Sequence, residues 1–403
     1  SVSAFLLNRS SDLEMMLEGC SSVMILPYDT IIRIQNWDEL TLIRDNVNNG
    51  SNSYEGIVIV LDWDLNLYNG WIPIGTPEHP FRGTFDGQDH TINFGIYNES
   101  NDYQGFFGYM QGTVKNVNFT QCSVIGRNYV GVIAGYCNGT ISNCYSYREK
   151  VEGEKYVGGL VGMASYSEIQ DCFNGNNIVG EQYVGGIVGD FASCKNDNCY
   201  GTMKYDLYGG NVSRCYNYGM VRATGDTSHV GGIAGFTSAE VKHCYNSGIV
   251  DGKDFVGGLC GQLDGDNLHH CYNAGYVSAT GNNKGAVCGS LDLQNIMYNC
   301  FYDRQMCTVQ DNNASGYNTL KMTGTALQNV FGTDYWSYHD NEYPTLKTTK
   351  KDSTYFRISV KPLLLPGNMP VDKVVQPFCG VTGNAPYSRV EWSRYGTATK
   401  TIS

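Results

Sequence analysis

Short apolar runs separated by glycine, asparagine and polar residues cover most of the chain, and they return at a regular interval. The clearest copy is YVGGLVG at 156–162, which returns as YVGGIVG at 183–189. The interval is about 27 residues, which is typical of repeat proteins. A longer interval around 200–222 predicts an irregular segment. The glycines that mark the repeat are Gly158, Gly159, Gly162, Gly185, Gly186, Gly189, Gly231, Gly232, Gly235, Gly257, Gly258 and Gly261.

A second pattern, a cysteine followed by an aromatic residue, keeps step with the first, as in ISNCY at 141–145. Runs this short bury too little alone, but they can pair in parallel with their equivalents one coil away. We therefore predict an all-β, right-handed parallel β-helix (solenoid), with glycine at corners where φ is positive or backbones approach closely. The cysteines of this pattern are Cys144, Cys172, Cys199, Cys215, Cys244, Cys271 and Cys300.

The segments on either side of the repeats lack this rhythm. A helix is predicted from Trp37 to Val47, because Asn36 can cap it and Leu40 and Ile43 fall on one face with Val47. Such a helix can cover the open end of a solenoid, which otherwise exposes strand edges. The predicted division is an N-terminal helical cap and entry (1–54), a solenoid (55–347) that Trp336 and 343–346 close, and a small C-terminal β region (348–403) that is a partial domain or a cap.

The composition agrees with many short strands joined by tight turns. The 403 residues include 49 glycines and 30 tyrosines, and 16% are charged. The net charge of −12 argues against nucleic acid, whose phosphates need clustered basic residues. No run approaches the roughly 18–20 apolar residues of a membrane span, so we predict no membrane insertion. We expect a monomer.

The cysteines are predicted to be mostly buried thiols rather than disulfides or metal ligands. Their number, 15, excludes complete internal pairing. Stacked equivalents lie about 4.8 Å apart, farther than the Cβ separation of about 3.5–4.5 Å that a disulfide prefers. Close pairs of the C-x-x-C type that bind zinc are absent. One or two disulfides remain open among Cys122, Cys137, Cys194 and Cys379, and no metal site or cofactor is predicted.

No catalytic residue is predicted, although a polysaccharide lyase or glycoside hydrolase is the main alternative for a β-helix. A glycosidase needs two carboxylates about 5–9.5 Å apart. The acids near Glu168, Asp171 and Glu181 and those at 251–266 mostly follow turn positions, where Asp is favoured for backbone reasons. His269 and His270 have no partner acid at a useful spacing in the sequence, so a pair at the edge of a turn is expected.

The tyrosines provide the candidate contact residues. Tyr129, Tyr156 and Tyr183 recur in phase, so stacked structural ladders explain them first. Aromatic residues outside the repeat positions are better candidates, because exposed tyrosines pack against sugars or proteins with little loss of entropy. The predicted ligand-binding residues are Tyr205, Tyr208, Tyr218, Tyr103 and Tyr166.

The repeat at 156–162 with the ISNCY segment at 141–145 resembles the GLUG-motif repeat of bacterial surface proteins. WIPIG at 71–75, the FRGTFDG segment at 81–87 and the Tyr343-Pro344 exit agree with it. The resemblance covers roughly 31–347. Val132 stands where a second glycine is usual and Asp89 where a glycine is common, which affects single coils.

This resemblance implies an extracellular or cell-surface β-helical adhesin, of a kind found in Bacteroidetes-like bacteria, with its signal peptide removed. It implies no catalytic residue. The expected partners are host or matrix glycans or proteins. A structural spacer that displays another domain is the remaining alternative.

Overall fold

The computed structural model describes residues 30–192, 210–264, 268–291, 297–307 and 309–347, together with the backbone of two further strands, Arg389–Trp392 and Ala398–Thr401. Almost all regular structure is β, and the strands stack in parallel as a solenoid of about nine turns. The predicted all-β parallel solenoid is confirmed. Its right-handedness stays a prediction. Cys199, Tyr205, Tyr208, Cys194 and Cys379 lie outside the described residues.

One coil shows how the repeat folds. Its first strand, Thr140–Glu152, bends at Asn143 and runs along the longest of three stacked sheets. Lys155–Gly158 then joins the smallest sheet and Val161–Ala164 the middle one, after which Glu168–Gln170 begins the next coil directly above Thr140. The same order returns in the following coils, so each repeat contributes to all three sheets.

The strands of the stack fall into three sheets of twenty, seven and six strands. The long sheet contains Thr30–Ile34, Ile57–Leu61, Leu65–Asn69, Thr84–Asp86, Thr91–Tyr97, Thr113–Thr120, Ser123–Ile125, Thr140–Glu152, Glu168–Gln170, Phe173–Gly180, Asn211–Ser213, Tyr216–Asn217, Val221–Ala223, Glu240–Lys242, Tyr245–Asn246, Val250–Gly252, Leu268–Asn273, Val277–Ala279, Met297–Asp303 and Ser315–Tyr317. The middle sheet contains Phe107–Met110, Ala134–Cys137, Val161–Ala164, Val188–Phe191, Ala234–Thr237, Cys260–Leu263 and Cys288–Leu291. The small sheet contains Asn128–Val130, Lys155–Gly158, Gln182–Gly185, Val230–Gly231, Val256–Gly257 and Lys284–Gly285.

The register joins the repeat copies as predicted, including across the long interval. Val157 pairs with Val184, and Val184 pairs directly with Val230. Asn211–Ser213 pairs with Glu168–Gln170 in the ordinary way. The prediction of irregular structure over 200–222 is therefore wrong from residue 211 onward, because that part forms a regular coil.

The predicted N-terminal helix is present as α1, Trp37–Asn48. The side chain of Asn36 accepts a hydrogen bond from the Glu39 backbone N–H at 3.0 Å, and Leu40, Ile43 and Val47 are buried on one face. Thr30–Ile34, which precedes the helix, pairs in parallel with Ile57–Leu61. The parallel stack thus reaches N-terminal of the predicted boundary at residue 55.

The repeat glycines are required for close packing and not for positive φ. A Cβ on Gly158 would lie 1.9 Å from the Val161 carbonyl oxygen, and one on Gly159 would lie 2.1 Å from that of Gly186. The left-handed corners are instead occupied by Tyr129 and Asn143, each with φ of 58°. The prediction that glycine stands where φ is positive or backbones approach closely is confirmed at these glycines by the close approach.

A column of buried asparagine side chains runs from coil to coil through the interior of the solenoid. The Asn174 side-chain amide donates to Asn217 at 2.8 Å, Asn217 donates to Asn246 at 2.9 Å, and Asn246 donates to Asn273 at 3.0 Å. Asn273 ends the column by donating to the Ala286 carbonyl at 2.9 Å. Because each amide also bonds to its own turn two residues on, these fully buried polar groups are satisfied.

The cysteines of the repeat form a second column, and all eleven cysteines in the described part of the chain are free and buried. The Cys172 thiol donates to the Gln170 carbonyl at 3.0 Å and accepts the Cys144 backbone N–H at 3.4 Å. Burial raises the pKa of the Cys172, Cys244 and Cys271 thiols. The thiols therefore form hydrogen bonds with backbone N–H and carbonyl groups at the bend of each coil, and they also fill the narrow interior of the solenoid.

Residues 318–347, which we call the cover, fold back along the side of the last coils. The cover contains a 3-10 turn (Thr319–Lys321), a short helix α2 (Gln328–Phe331) and an antiparallel pair, Trp336–Ser337 with Thr345–Leu346.

At the end of the stack, Asp311 accepts the backbone N–H groups of Val287 and Cys288, at 3.0 and 2.9 Å. In the coil below, a backbone carbonyl performs this role, since Leu259 N–H donates to Val287. A carboxylate thus replaces the missing next coil, and the predicted closing role of Trp336 and 343–346 fits the cover.

Candidate binding surface

A ladder of stacked rings, which we call the open ladder, runs along one corner of the solenoid. Each ring directly precedes the residue that pairs in the column of Gln104, Val130, Val157, Val184, Val230 and Val256, and each remains part-exposed. Neighbouring ring centroids lie 4.5–5.2 Å apart. This spacing is close to the distance between coils, so the stacking follows from the fold. The open ladder consists of Tyr103, Tyr129, Tyr156, Tyr183, His229 and Phe255.

A second row of rings on the middle sheet widens this surface. Tyr109 and Tyr136 stack with centroids 4.2 Å apart, and Tyr109 lies 5.8 Å from Tyr103. Three coils beyond Tyr136, after Met163 and Asp190 in the same column, Phe236 meets Tyr183 edge-on at 6.4 Å. The open ladder is thus a continuous aromatic surface along the solenoid axis, and the second row widens it at Tyr109 and Tyr136 and again at Phe236.

The surface is polar at its margin. Arg127 and Asp102 form a bidentate ion pair at 2.8 Å beside the first rings. His229 contacts Gln262 through its Nε2 at 2.9 Å, and burial lowers the pKa of this histidine. Because interior rings are sandwiched by their neighbours, the ladder presents ring edges and polar heads rather than open ring faces. Such a surface can make the same contact once per coil along an extended ligand.

A second stack, the covered ladder, lies on the long sheet. Neighbouring ring centroids are 4.5–5.0 Å apart, and the planes of the Tyr245 and Tyr272 rings are parallel, with an interplanar angle of 0°. The cover packs on it: Trp336 lies 5.8 Å from Tyr272, whose hydroxyl donates to the Pro344 carbonyl at 2.5 Å. The covered ladder consists of Tyr145, Phe173, Tyr216, Tyr245 and Tyr272.

The described tyrosines predicted as contact residues fall in different places. Tyr103 is the first ring of the open ladder, so it follows the repeat, contrary to the prediction that it lies outside it. Tyr218 packs 5.9 Å from Phe173 of the covered ladder. Tyr166 lies at a left-handed corner with φ of 51° and is part-exposed. Their roles in binding stay predictions.

Sequence reasoning missed His229 and Phe255 as members of the open ladder. Both directly precede the repeat valines Val230 and Val256, as Tyr183 precedes Val184. The signal was therefore the position in the repeat, which a search for tyrosine alone does not find.

The acids and histidines also differ from the predictions. Asp171, expected as a solvated turn acid, forms a bidentate ion pair with Arg214 of the next coil at 2.7 Å. His269, expected to have no partner acid, lies 3.0 Å from Glu240, which is one coil away. The parallel stack brings together residues that are 43 positions apart in the first pair and 29 in the second, distances at which no local motif is visible.

Within the described residues, no group of three or more histidine, cysteine, aspartate or glutamate side chains is arranged to hold a metal ion. None of the helices described has the length and apolar character of a membrane-spanning helix.

The sequence matches no protein-family model and no curated relative. Among solved structures, the chain is similar to a protein from Bacteroides ovatus described as a "putative immunoglobulin A1 protease". The two chains are 20% identical with a TM-score of 0.51, and the match covers 79% of this chain and 92% of the other. At this level of identity the similarity concerns the fold: this chain shares the architecture of a β-helical protein of Bacteroides.

Proposed function

We propose that this chain is a non-catalytic, extracellular binding module that recognises host or matrix glycans or proteins through the open ladder and its neighbouring ring row. The observation that carries the proposal is the continuous part-exposed aromatic surface, from Tyr103 to Phe255, on a rigid stack of coils. Aromatic residues on a rigid frame provide contact area with little loss of conformational entropy.

Two similarities support an extracellular, adhesin-like role. The repeat at 156–162 resembles the GLUG motif of bacterial surface proteins. The structural neighbour comes from Bacteroides, a genus in agreement with the Bacteroidetes-like source that this resemblance implies. We infer that the chain belongs to a surface or secreted protein of the same kind.

The test is a retention assay of the purified chain on immobilised glycans, mucin and matrix proteins. A Tyr129→Ala/Tyr156→Ala double variant removes two adjacent rings of the open ladder, and we expect it to weaken retention at least about ten-fold, as for the loss of contact hot spots. Tyr97→Ala is the matched control, because Tyr97 is 57% exposed and lies on the long sheet. Equal loss in both variants, or none in the double variant, would contradict the proposed surface.

Hydrolysis is the alternative, and the neighbour's description names one form of it. The same samples are therefore assayed for release of reducing sugar and for cleavage of immunoglobulin A1. Either activity, if it persists through repeated purification, would overturn the proposal of a non-catalytic module. If the chain shows neither retention nor activity in the two hydrolysis assays, the structural spacer is favoured.

A further inference from the structure

Three histidines, which we call the histidine cluster, lie where the cover meets the solenoid. They are His243 on one coil and His269 and His270 on the next, with ring centroids 5.1 Å apart between His270 and each of the others. The indole N–H of Trp336 in the cover donates to Nδ1 of His243 at 3.2 Å. The ring of Tyr335, also in the cover, lies 4.9 Å from that of His243.

The hydrogen bonds of the cluster fix the proton on every ring. Nε2 of His269 lies 3.0 Å from a carboxylate oxygen of Glu240, so this nitrogen donates. Nδ1 of His269 then accepts, and its partner, Nδ1 of His270 at 2.9 Å, donates. Nε2 of His270 in turn accepts from the side-chain amide of Asn299 at 3.2 Å. This chain of bonds is complete only when both imidazoles are neutral.

Addition of a proton breaks these contacts. A proton on Nδ1 of His243 sets an N–H against the N–H of Trp336, so the bond that holds the cover is lost. A proton added to Nε2 of His270 sets a second N–H against the side-chain amide N–H of Asn299 at 3.2 Å. A buried donor that faces another donor costs more than a missing hydrogen bond.

The charges around His243 also oppose its protonation. Arg214 of the preceding coil and Lys242, its neighbour in the chain, act on it together with the two other histidines. Asp171 pairs with Arg214, and Glu240 pairs with both Lys242 and His269. From the cover, His243 meets the rings of Tyr335 and Trp336. Burial, and then the neighbouring cations, lower the pKa of His243 to about 4, and burial also lowers that of His270.

We propose that the histidine cluster is an acid-sensitive latch: neutral imidazoles hold the cover on the covered ladder, and mild acid releases it and exposes Tyr245 and Tyr272. This device is independent of binding at the open ladder. It provides a second aromatic surface that is available only in acidic surroundings.

The lowered pKa of His243 gives the direction and the pH range in which docking of the cover changes. With the cover docked, the pKa of His243 is about 4; release of the cover removes part of its burial but leaves the neighbouring cations of the solenoid, so the pKa rises toward its usual value of about 6.5 without having to reach it. Docking is therefore fully favourable above about pH 6.5, weakens as the pH falls, and loses no more below about pH 4. His270 contributes in the same direction.

The experiment is hydrogen–deuterium exchange of the full chain at pH 7.5 and pH 5, expressed as protection factors. We expect peptides of the cover to lose protection on the order of ten-fold at pH 5, while repeat peptides around Val157 and Val184 keep theirs. Loss of protection in both regions together would mean general unfolding and would overturn the latch. Unchanged protection of the cover at pH 5 would overturn it as well.

Two substitutions at His243 separate titration from packing. His243→Asn keeps an acceptor at the same number of bonds from the backbone, and asparagine occupies the equivalent left-handed corners at Asn143 and Asn299. We expect this variant to keep most of its cover protection at pH 5. His243→Phe removes the acceptor and should lose protection already at pH 7.5. His90→Asn, at an exposed contact with Asp64, is the control and should follow the unmodified chain.

The latch would be wrong if His243→Asn lost protection between pH 7.5 and pH 5 as the unmodified chain does. It would also be wrong if His243→Phe kept the protection of the unmodified chain at both values. In each variant, the repeat peptides report whether the solenoid itself is folded.

Discussion

The open and covered ladders are built by the same repeat but have different surroundings. Ring spacing is 4.5–5.2 Å in one and 4.5–5.0 Å in the other, so the coil spacing sets the stacking in both. Tyr272 in the covered ladder is 1% exposed beneath Trp336, whereas the rings of the open ladder stay part-exposed. Stacked rings are thus a property of the architecture, and exposure distinguishes a surface that can bind from one that stabilises.

The largest expected effect comes from the covered ladder. Tyr272→Ala removes a ring that stacks on Tyr245 at 5.0 Å and packs against the cover, and also removes the bond to Pro344. We expect it to lower the free energy of unfolding by about 3–5 kcal/mol. In the open ladder, Tyr156→Ala should lower it by only about 1–2 kcal/mol, because mainly the two ring contacts are lost. Denaturation by urea measures both values, and equal losses would remove the distinction between the ladders.

The asparagine column supports both ladders and gives the next largest effect. Asn174 follows Phe173 of the covered ladder and packs against Gly159, three residues after Tyr156 of the open one. Asn246→Ala removes the central link, so that in a buried site the Asn217 amide loses one acceptor and the Asn273 side-chain oxygen loses one donor. We expect a loss of about 3 kcal/mol in the free energy of unfolding.

The matched control for the column is Asn177→Ala. Asn177 is exposed, and its side chain accepts a single long bond from Met220 N–H at 3.3 Å. We expect a change within about 0.5 kcal/mol, as for most surface substitutions. A similar loss in the two variants would mean that the interior amide chain adds no stability to either ladder.

The stack could be predicted from the sequence because parallel coils turn a period in the chain into a column in space. Val157 over Val184 and Cys271 over Cys300 follow from the period alone. The helix beginning at Trp37 could also be predicted, because its cap and apolar face are local features.

The exposure of each column could not be predicted in this way. It depends on a segment, 318–347, that returns to the side of the stack with no repeat pattern of its own. The pairing of His269 with Glu240 was missed for a related reason: it joins two coils at positions that differ from copy to copy. The period identifies which residues share a column, whereas chemistry within a column must be read from neighbouring coils.

The smallest expected effect comes from His229 in the open ladder, whose titration can be tested separately from that of the histidine cluster beside the covered ladder. His229 stacks between Tyr183 and Phe255 in the open ladder, and burial lowers its pKa below the usual value of about 6.5. A group with a lowered folded-state pKa stabilises the protein above about pH 6.5, and this contribution is lost as the pH falls toward the folded pKa. His229→Tyr restores the residue found at Tyr183 and removes this titration. We expect a change within about 1 kcal/mol at pH 7 and a smaller loss of stability between pH 7 and pH 5 than in the unmodified chain.

Thermal unfolding at the two pH values measures this difference, with hydrogen exchange of the cover followed in parallel. Because His243 remains in place, His229→Tyr should leave the acid release of the cover unchanged. His243→Asn should have the opposite pattern, a stable cover in acid with the titration of the open ladder retained. A single substitution that abolished both responses would mean that the two ladders are coupled through the coils, and the difference in their surroundings would no longer explain their behaviour.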